Sequence, residues 1–139
     1  MSVFVVDASV VIKWFIAEPN TDAARRLLNT EKTFLAPEHL FAETANAVWK
    51  KVRRGEISTD YGRAMLSQID STCVVVETVP CRDLAADAYM IAVTHGRTVY
   101  DAMYLALAIQ RNTRLITADN RLYNALANVP GIAPYIQSL

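Results

Sequence analysis

The sequence predicts an α/β fold in which a parallel sheet is covered on both faces by helices. Two observations carry that expectation. Short apolar runs at residues 3–6, 33–35, 73–78 and 114–117 alternate with segments of helical spacing, and strands separated by helices pair in parallel through right-handed crossovers. The runs are also apolar almost throughout instead of alternating, as befits strands buried between two helical layers.

Each element has its own local reason. The V-F-V-V strand at 3–6 ends at Asp7, and Asp7-Ala8-Ser9 opens a helix that reaches about residue 15 and is closed near Pro19. A second, short helix spans 21–28. A weak strand at 33–35 precedes Pro37, which supports a helix start just after it. That helix, the longest, runs from about 38 to 53 and stops at Gly55. Ser58 reads as the N-cap of a helix to about 69. The β-branched C-V-V-V-E-T run at 73–78 is a strand, and 82–95 is a helix ended by Gly96. Residues 101–111 form a helix apolar on nearly every side, which predicts burial. A strand at 114–117 and a helix at 120–127 complete the alternation. No repeat, low-complexity tract or linker interrupts the chain, so its 139 residues are expected to form one domain, 1–139.

Composition narrows the function classes. The hydrophobic fraction is 53%, rich enough that either the core is large or an apolar surface is covered by a partner. No apolar run approaches the ~18 residues that cross a bilayer, and the N-terminus lacks the basic-then-apolar order of a signal peptide. A cytoplasmic protein without a membrane role is expected. Cys73 and Cys81 are too few for a disulfide scaffold and lack metal-ligand spacing, so both read as reduced thiols. Fourteen basic residues balance fourteen acidic ones. A nucleic-acid partner would therefore require positive charge segregated to one face.

The acids are where the pattern sharpens. Asp7 follows the first strand and Asp119 follows the strand at 114–117, each just before a helix. In a parallel α/β sheet the carboxyl ends of the strands point one way and ligands bind there, which puts Asp7 and Asp119 on the same edge. Asp101 heads the buried helix. Taken singly, each aspartate is most economically a helix cap; their joint position is what suggests a site. Ser9 and Thr117, two residues from Asp7 and Asp119, supply hydroxyls able to orient a carboxylate. On the long helix, Phe41, Ala45, Val48, Trp49 and Val52 make an apparent core stripe, with Glu43 almost opposite. Lys50, Lys51 and Arg54 continue on the Glu43 side, either as solvated charges or as a phosphate track; Lys13 and Arg121 are further phosphate candidates. Trp14 is expected to be partly exposed. His39 is expected on a different side of the helix from Glu43, and both histidines, His39 and His95, read as structural.

The strings V-V-D-A-S-V-V-I-K-W-F, F-A-E-T-A-N-A-V-W, Y-D-A-M-Y-L-A-L-A and L-I-T-A-D-N-R-L, in that order across nearly the whole chain, resemble the four motifs of PIN-domain nucleases, and more closely those of the VapC toxins of toxin–antitoxin pairs. The resemblance implies that the family's acids fall on Asp7, Glu43, Asp101 and Asp119, its small hydroxyl on Thr117 and its motif asparagine on Asn46. It implies a three-layer α/β/α sandwich with a central parallel sheet, Mg²⁺ or Mn²⁺ dependence, endonucleolytic cleavage of RNA to a 5′-phosphate and 3′-hydroxyl, a homodimer, and a cognate antitoxin.

The chemistry suits such a cluster. Converging carboxylates repel, and a hard divalent cation relieves them. Mg²⁺ is usually held by one or two carboxylates plus substrate phosphate. Asp7 and Asp101 are the first choice of ligand and Asp119 the next; Glu43 is assigned either a second ion or the attacking water. Two other readings compete: a PIN-type nuclease acting in RNA processing or on DNA without an antitoxin, and a binding module whose aspartates only cap helices.

Overall fold

The computed structural model of the chain describes residues 2–72 and 76–139. Among these, five parallel strands form one sheet: β1 (Ser2–Val6), β2 (Lys32–Pro37), β3 (Val76–Val79), β4 (Leu115–Thr117) and β5 (Ile136–Ser138), in the spatial order β3-β2-β1-β4-β5. Seven α-helices flank it: α1 (Ala8–Phe15), α2 (Thr21–Leu28), α3 (Leu40–Arg53), α4 (Thr59–Thr72), α5 (Ala85–His95), α6 (Val99–Gln110) and α7 (Asn120–Leu126). The expected α/β architecture with a central parallel sheet is what forms. No helix of the described residues is long and apolar enough to cross a membrane.

The sheet order decides where a site can lie. From β1 the chain moves outward through β2 to β3, then returns to the other side of β1 with β4 and β5. The direction reverses between β1 and β4, and in doubly wound sheets the crevice outside such a switch point is where ligands bind. β1 and β4 pair with Val5 opposite Leu115 and Val6 opposite Ile116. Continuing that register by one residue sets Asp7 beside Thr117.

The core follows from the apolar strands. Val5, Val6, Phe34, Leu35, Ala36, Leu115 and Ile116 are buried. α6 packs against β1, β2 and β4, and α5 packs on α6. Seven successive residues of α6, Ala102 to Ala108, are buried, as its all-round apolar character predicts. On the other hand α1 gathers α2, α3 and α4 around it. Trp14 is buried at 7% exposure, tilted against Phe34 at 5.5 Å with its indole N–H donating to the Ala24 carbonyl at 2.8 Å; the expected partial exposure is corrected, because that carbonyl satisfies the ring's polar end inside the core.

Several boundaries shift. The 82–95 helix resolves into a 3-10 turn, Cys81–Asp83, followed by α5. Gly96, with φ +68, ends α5 in the left-handed conformation that favours glycine, as expected. The strand expected at 73–78 is found as β3 from Val76; its first three residues, Cys73 included, lie outside the described residues. β5 was not anticipated: at three residues it is too short to announce itself, and it exists because β4 offers an unpaired edge.

Candidate active site

Asp7 caps α1 and is anchored from both sides. Ser9 Oγ donates to its Oδ1 and Thr117 Oγ1 to its Oδ2, each at 2.5 Å. Each hydroxyl in turn accepts a backbone N–H of the segment after β4: Ala118 N–H on Ser9 at 2.9 Å and Asp119 N–H on Thr117 at 3.1 Å. The β1 and β4 ends are thus knitted together through one carboxylate. Asp7 is only 7% exposed, and burial pushes its carboxyl up to about 6. The two hydroxyls and the Val10 N–H oppose that rise, while the charge of Asp119 adds to it. Asp7 and Asp119 therefore share an edge and feel each other, as the strand-end argument requires. Asp119 caps α7, accepting the N–H groups of Arg121 and Leu122 at 3.0 and 3.1 Å.

Asp101 and Glu43 arrive on helices. Asp101 is not the head of α6. The helix starts two residues earlier at Val99, and Thr98 is its cap, accepting the Asp101 N–H at 3.1 Å. Val99 and Tyr100 hide this start from a periodicity argument because both continue the apolar run. Asp101 is in the first turn, where the helix dipole favours a carboxylate, and Arg97 Nη2 lies 3.4 Å from its Oδ2.

The α3 wheel is also corrected. The buried residues are Leu40, Thr44 and Val48, whereas Phe41 and Trp49 are exposed, Trp49 at 52%. Thr44 donates its hydroxyl to the Leu40 carbonyl at 2.8 Å, which satisfies its polar atom and lets it take a core position. The stripe is rotated by one residue from the expected one. Glu43, next to Thr44, is consequently half-buried on the flank instead of opposite the core. His39 lies on the same side, not a different one: it stands one turn before Glu43, with Nε2 3.3 Å from Glu43 Oε1.

Tyr104 ties these parts together, and sequence reasoning missed it. It is 2% exposed, and its hydroxyl donates to Glu43 Oε1 at 2.6 Å. Its phenol is held far above the ordinary value, first by burial, then by the charge of Glu43 and the hydrogen bond to it, and further by the charges of Asp7 and Asp101. The charges of three acids thus bear on one buried hydroxyl. Its one signal was its place three residues after Asp101, one turn along the same helix; the apolar company of α6 concealed it.

A cleft of about 410 Å³ opens here, lined by Ala8, His39, Ala42, Glu43, Asn46, Ala47, Lys50 and Tyr100. An adjoining hollow of about 240 Å³ shares Ala47 and Lys50 and adds Ser9, Lys13, Lys51, Arg54 and Ala118. Lys50 makes no ion pair among the described residues, whereas the other bases are engaged. Lys51 reaches Glu18 at 2.5 Å and Glu56 at 3.5 Å, Arg54 reaches Glu56 at 3.6 Å, and Lys13 bonds to Glu18 at 3.3 Å and the Pro19 carbonyl at 2.8 Å.

The donor set is all oxygen: carboxylates flanked by hydroxyls. Among the described residues no three His, Cys, Asp or Glu side chains close into a cage around one ion. Oxygen donors of this kind are the ones a hard cation such as Mg²⁺ takes, through one or two carboxylates with its remaining positions left to water and substrate.

The PIN domain family model matches residues 4–127, which contain all four acids. The chain belongs to the PIN-domain family. Within it, this PIN protein is 31% identical to Ribonuclease VapC3 of Pyrobaculum aerophilum over 118 residues, covering 85% of this chain and 90% of that one. Its fold is similar to that of Mycobacterium tuberculosis VapC20, described as a sarcin–ricin loop cleaving toxin, with TM-score 0.67, 21% identity and coverage of 89% and 95%. It is similar too to VapBC2 of Rickettsia felis, solved bound to a DNA fragment from its promoter, with TM-score 0.63, 12% identity and coverage of 99% and 98%. The similarity to VapC3 sets this PIN protein beside relatives named VapC, and the two structural likenesses speak for the three-layer fold.

Proposed function

We propose that this protein is a metal-dependent endoribonuclease, the toxin of a toxin–antitoxin pair acting in the cytoplasm. The observation that carries the reading is the carboxylate of Asp7, fixed at the β1/β4 switch point beside Asp119, with Glu43 bonded to the buried Tyr104 hydroxyl on the helix that carries Asp101. Membership of the PIN family and the similarity to a protein named a VapC ribonuclease support it.

Asp7 and Asp101 would hold a Mg²⁺ or Mn²⁺ ion, with Asp119 next. Such an ion supplies Lewis acidity at the scissile phosphate and activates water for in-line attack. The chain's own residues do the rest. Ser9 and Thr117 hold the Asp7 carboxylate in one orientation. Glu43 stands in the cleft wall to orient or accept a proton from water. Asn46 lines the same cleft, and Lys50 reaches both hollows to neutralise a backbone phosphate. Asp7 needs to be ionised to serve, and a cation beside it reverses the upward push of burial.

The antitoxin and a second copy of the chain are the proposed protein partners. VapBC proteins share the fold, and α5 presents Tyr89, Met90 and Val93 exposed on its outer side, a surface suited to burial by another chain. The test is cleavage of labelled single-stranded RNA with Mg²⁺ or Mn²⁺ against EDTA. Cleavage that needs the ion and is lost in Asp7→Asn and Asp101→Asn supports the proposal; metal-independent cleavage, or full activity in both variants, sinks it. Co-expression with the product of a short neighbouring reading frame that restores growth supports the toxin half.

A further inference from the structure

Glu43 is held by two groups that the reaction itself does not require. Tyr104 Oη donates to its Oε1 at 2.6 Å. His39 Nε2 lies 3.3 Å from the same Oε1 and 3.0 Å from the backbone carbonyl of Tyr100. Both neighbours of Nε2 are acceptors, so this nitrogen carries the ring proton and donates it to the Tyr100 carbonyl, with Glu43 Oε1 a close neighbour, while Nδ1 faces the Cys81 thiol at 3.8 Å. The hydrogen bond from Tyr104 and the close approach of the His39 ring thus both fall on Oε1. Glu43 Oε2 has no hydrogen-bond partner among the described residues and is not among the fully buried atoms, while Glu43 itself lines the 410 Å³ cleft.

We propose that Tyr104 and His39 are positioning residues, Tyr104 bonding Oε1 of Glu43 and the His39 ring standing against it, that leave Oε2 as the oxygen Glu43 presents to the site. Glu43 then acts at one point, as acceptor for the attacking water or as a one-oxygen ligand, and never as a chelating carboxylate. The two supports also join the acid-bearing helices. Tyr104 comes from α6, His39 precedes α3, and the His39 bond to Tyr100 anchors the α6 backbone one residue before Asp101. A shift of α6 relative to α3 would misplace Glu43 and Asp101 together. The inference rests on the proposed nuclease function and specifies how its least settled acid works.

Tyr104→Phe keeps the buried ring and removes only the donor. Cleavage of a labelled single-stranded RNA with Mn²⁺ is expected to show kcat lowered about 10- to 100-fold, the usual range for groups that orient metal-site ligands, with KM and thermal midpoint close to wild type. In a Glu43→Ala background the same substitution should cost nothing more. His39→Gln, whose amide donates from a similar position, should recover more activity than His39→Ala. A readout free of catalysis is the Tyr104 hydroxyl proton by NMR, protected from exchange in the wild type and exposed in Glu43→Ala. Wild-type kcat in Tyr104→Phe, an undiminished loss in the Glu43→Ala background, or an unprotected hydroxyl proton each overturns the proposal. Active Asp7→Asn and Glu43→Ala variants would instead overturn the nuclease reading on which it rests.

Discussion

The four acids stand on two different kinds of support. Asp7 and Asp119 lie at strand ends and are fixed by groups within three residues of themselves or across a single ladder step: Ser9, Thr117, and the N–H groups of Val10, Arg121 and Leu122. Glu43 and Asp101 lie on helices and are fixed by side chains that the fold brings up: Tyr104, His39 and Arg97. The strand-end half is built from the sheet, whose register leaves it little freedom. The helical half depends on how the Tyr104–Glu43 and His39–Tyr100 bonds hold α3 and α6 relative to each other. The sheet side is thus the rigid floor of the site and the helix side its adjustable wall.

The floor should be the harder to perturb without losing function. Asp7→Asn keeps the shape and the cap but removes the charge, and cleavage should fall on the order of a hundred- to a thousandfold. The same variant tests the burial of Asp7 through stability. Its carboxyl is raised from 3.8 to about 6 in the folded protein, so the native state holds that proton more tightly than the unfolded chain. The stabilising contribution is complete below pH 4 and is lost as pH rises through about 6, amounting to about 3 kcal/mol. In the absence of metal the thermal midpoint of the wild type should therefore fall across that window, and Asp7→Asn should fall less. Added Mg²⁺ should restore the wild type at pH 7.5 and lose its effect as Asp7 takes up its proton below about pH 6. Identical pH profiles for the two proteins would show that Asp7 is hydrated in solution.

Thr117→Val attacks the same floor one step further out. The side chain is fully buried, and its hydroxyl both donates to Asp7 and accepts the Asp119 N–H. An isosteric methyl leaves both partners short, costing about 1–3 kcal/mol of stability and about 10- to 100-fold in activity. On the wall, Arg97→Gln should do less and in the opposite direction for the metal. Arg97 lies beside Asp101 as a competing cation, in a pair that is more than a quarter exposed. Removing it should change unfolding free energy by under about 1 kcal/mol and tighten Mn²⁺ binding about two- to fivefold. Weaker Mn²⁺ binding in Arg97→Gln would mean that the guanidinium organises Asp101 instead of competing for it.

The same division explains what was legible in the chain. Asp7 and Asp119 were readable because their positions follow from strand ends and sheet polarity, which apolar runs announce, and because Ser9 and Thr117 are local. Leu40-Thr44-Val48 was not readable as the buried stripe of α3. A threonine enters a core when it can return its hydroxyl to the helix backbone, and Phe41 and Trp49 looked the better core residues by hydrophobicity alone. That one-residue rotation is what hid the half-buried setting of Glu43. Tyr104 was hidden by the very pattern that placed α6 inside, since a polar atom at the end of an aromatic ring does not disturb an apolar run. The i,i+4 relation of His39 to Glu43 was available from spacing. The competing reading of the aspartates as caps is also true of Asp7 and Asp119: both cap helices, and the capping is part of what holds them at the switch point.

The basic side of the cleft offers the smallest effects and a comparison within two adjacent residues. Lys50 and Lys51 look equivalent in sequence. Lys51 is committed to Glu18, with both side chains mostly buried at 15% and 17% exposure, and so ties α3 to the segment after α1. Lys50 lines both hollows without an ion pair among the described residues. Lys51→Ala should therefore cost about 1 kcal/mol of stability and leave KM for RNA nearly unchanged. Lys50→Ala should leave stability within about 0.5 kcal/mol, raise KM a few-fold, and reduce the salt dependence of RNA binding by about 0.7 in the log–log slope, the contribution of one single-strand phosphate contact. The slope is the sharper reading of the two, because a general loss of folded protein lowers apparent affinity without changing the number of cations released. If the slope moves with Lys51 and not with Lys50, the RNA path runs over the α1–α3 seam and Glu18 gives up its partner when RNA binds.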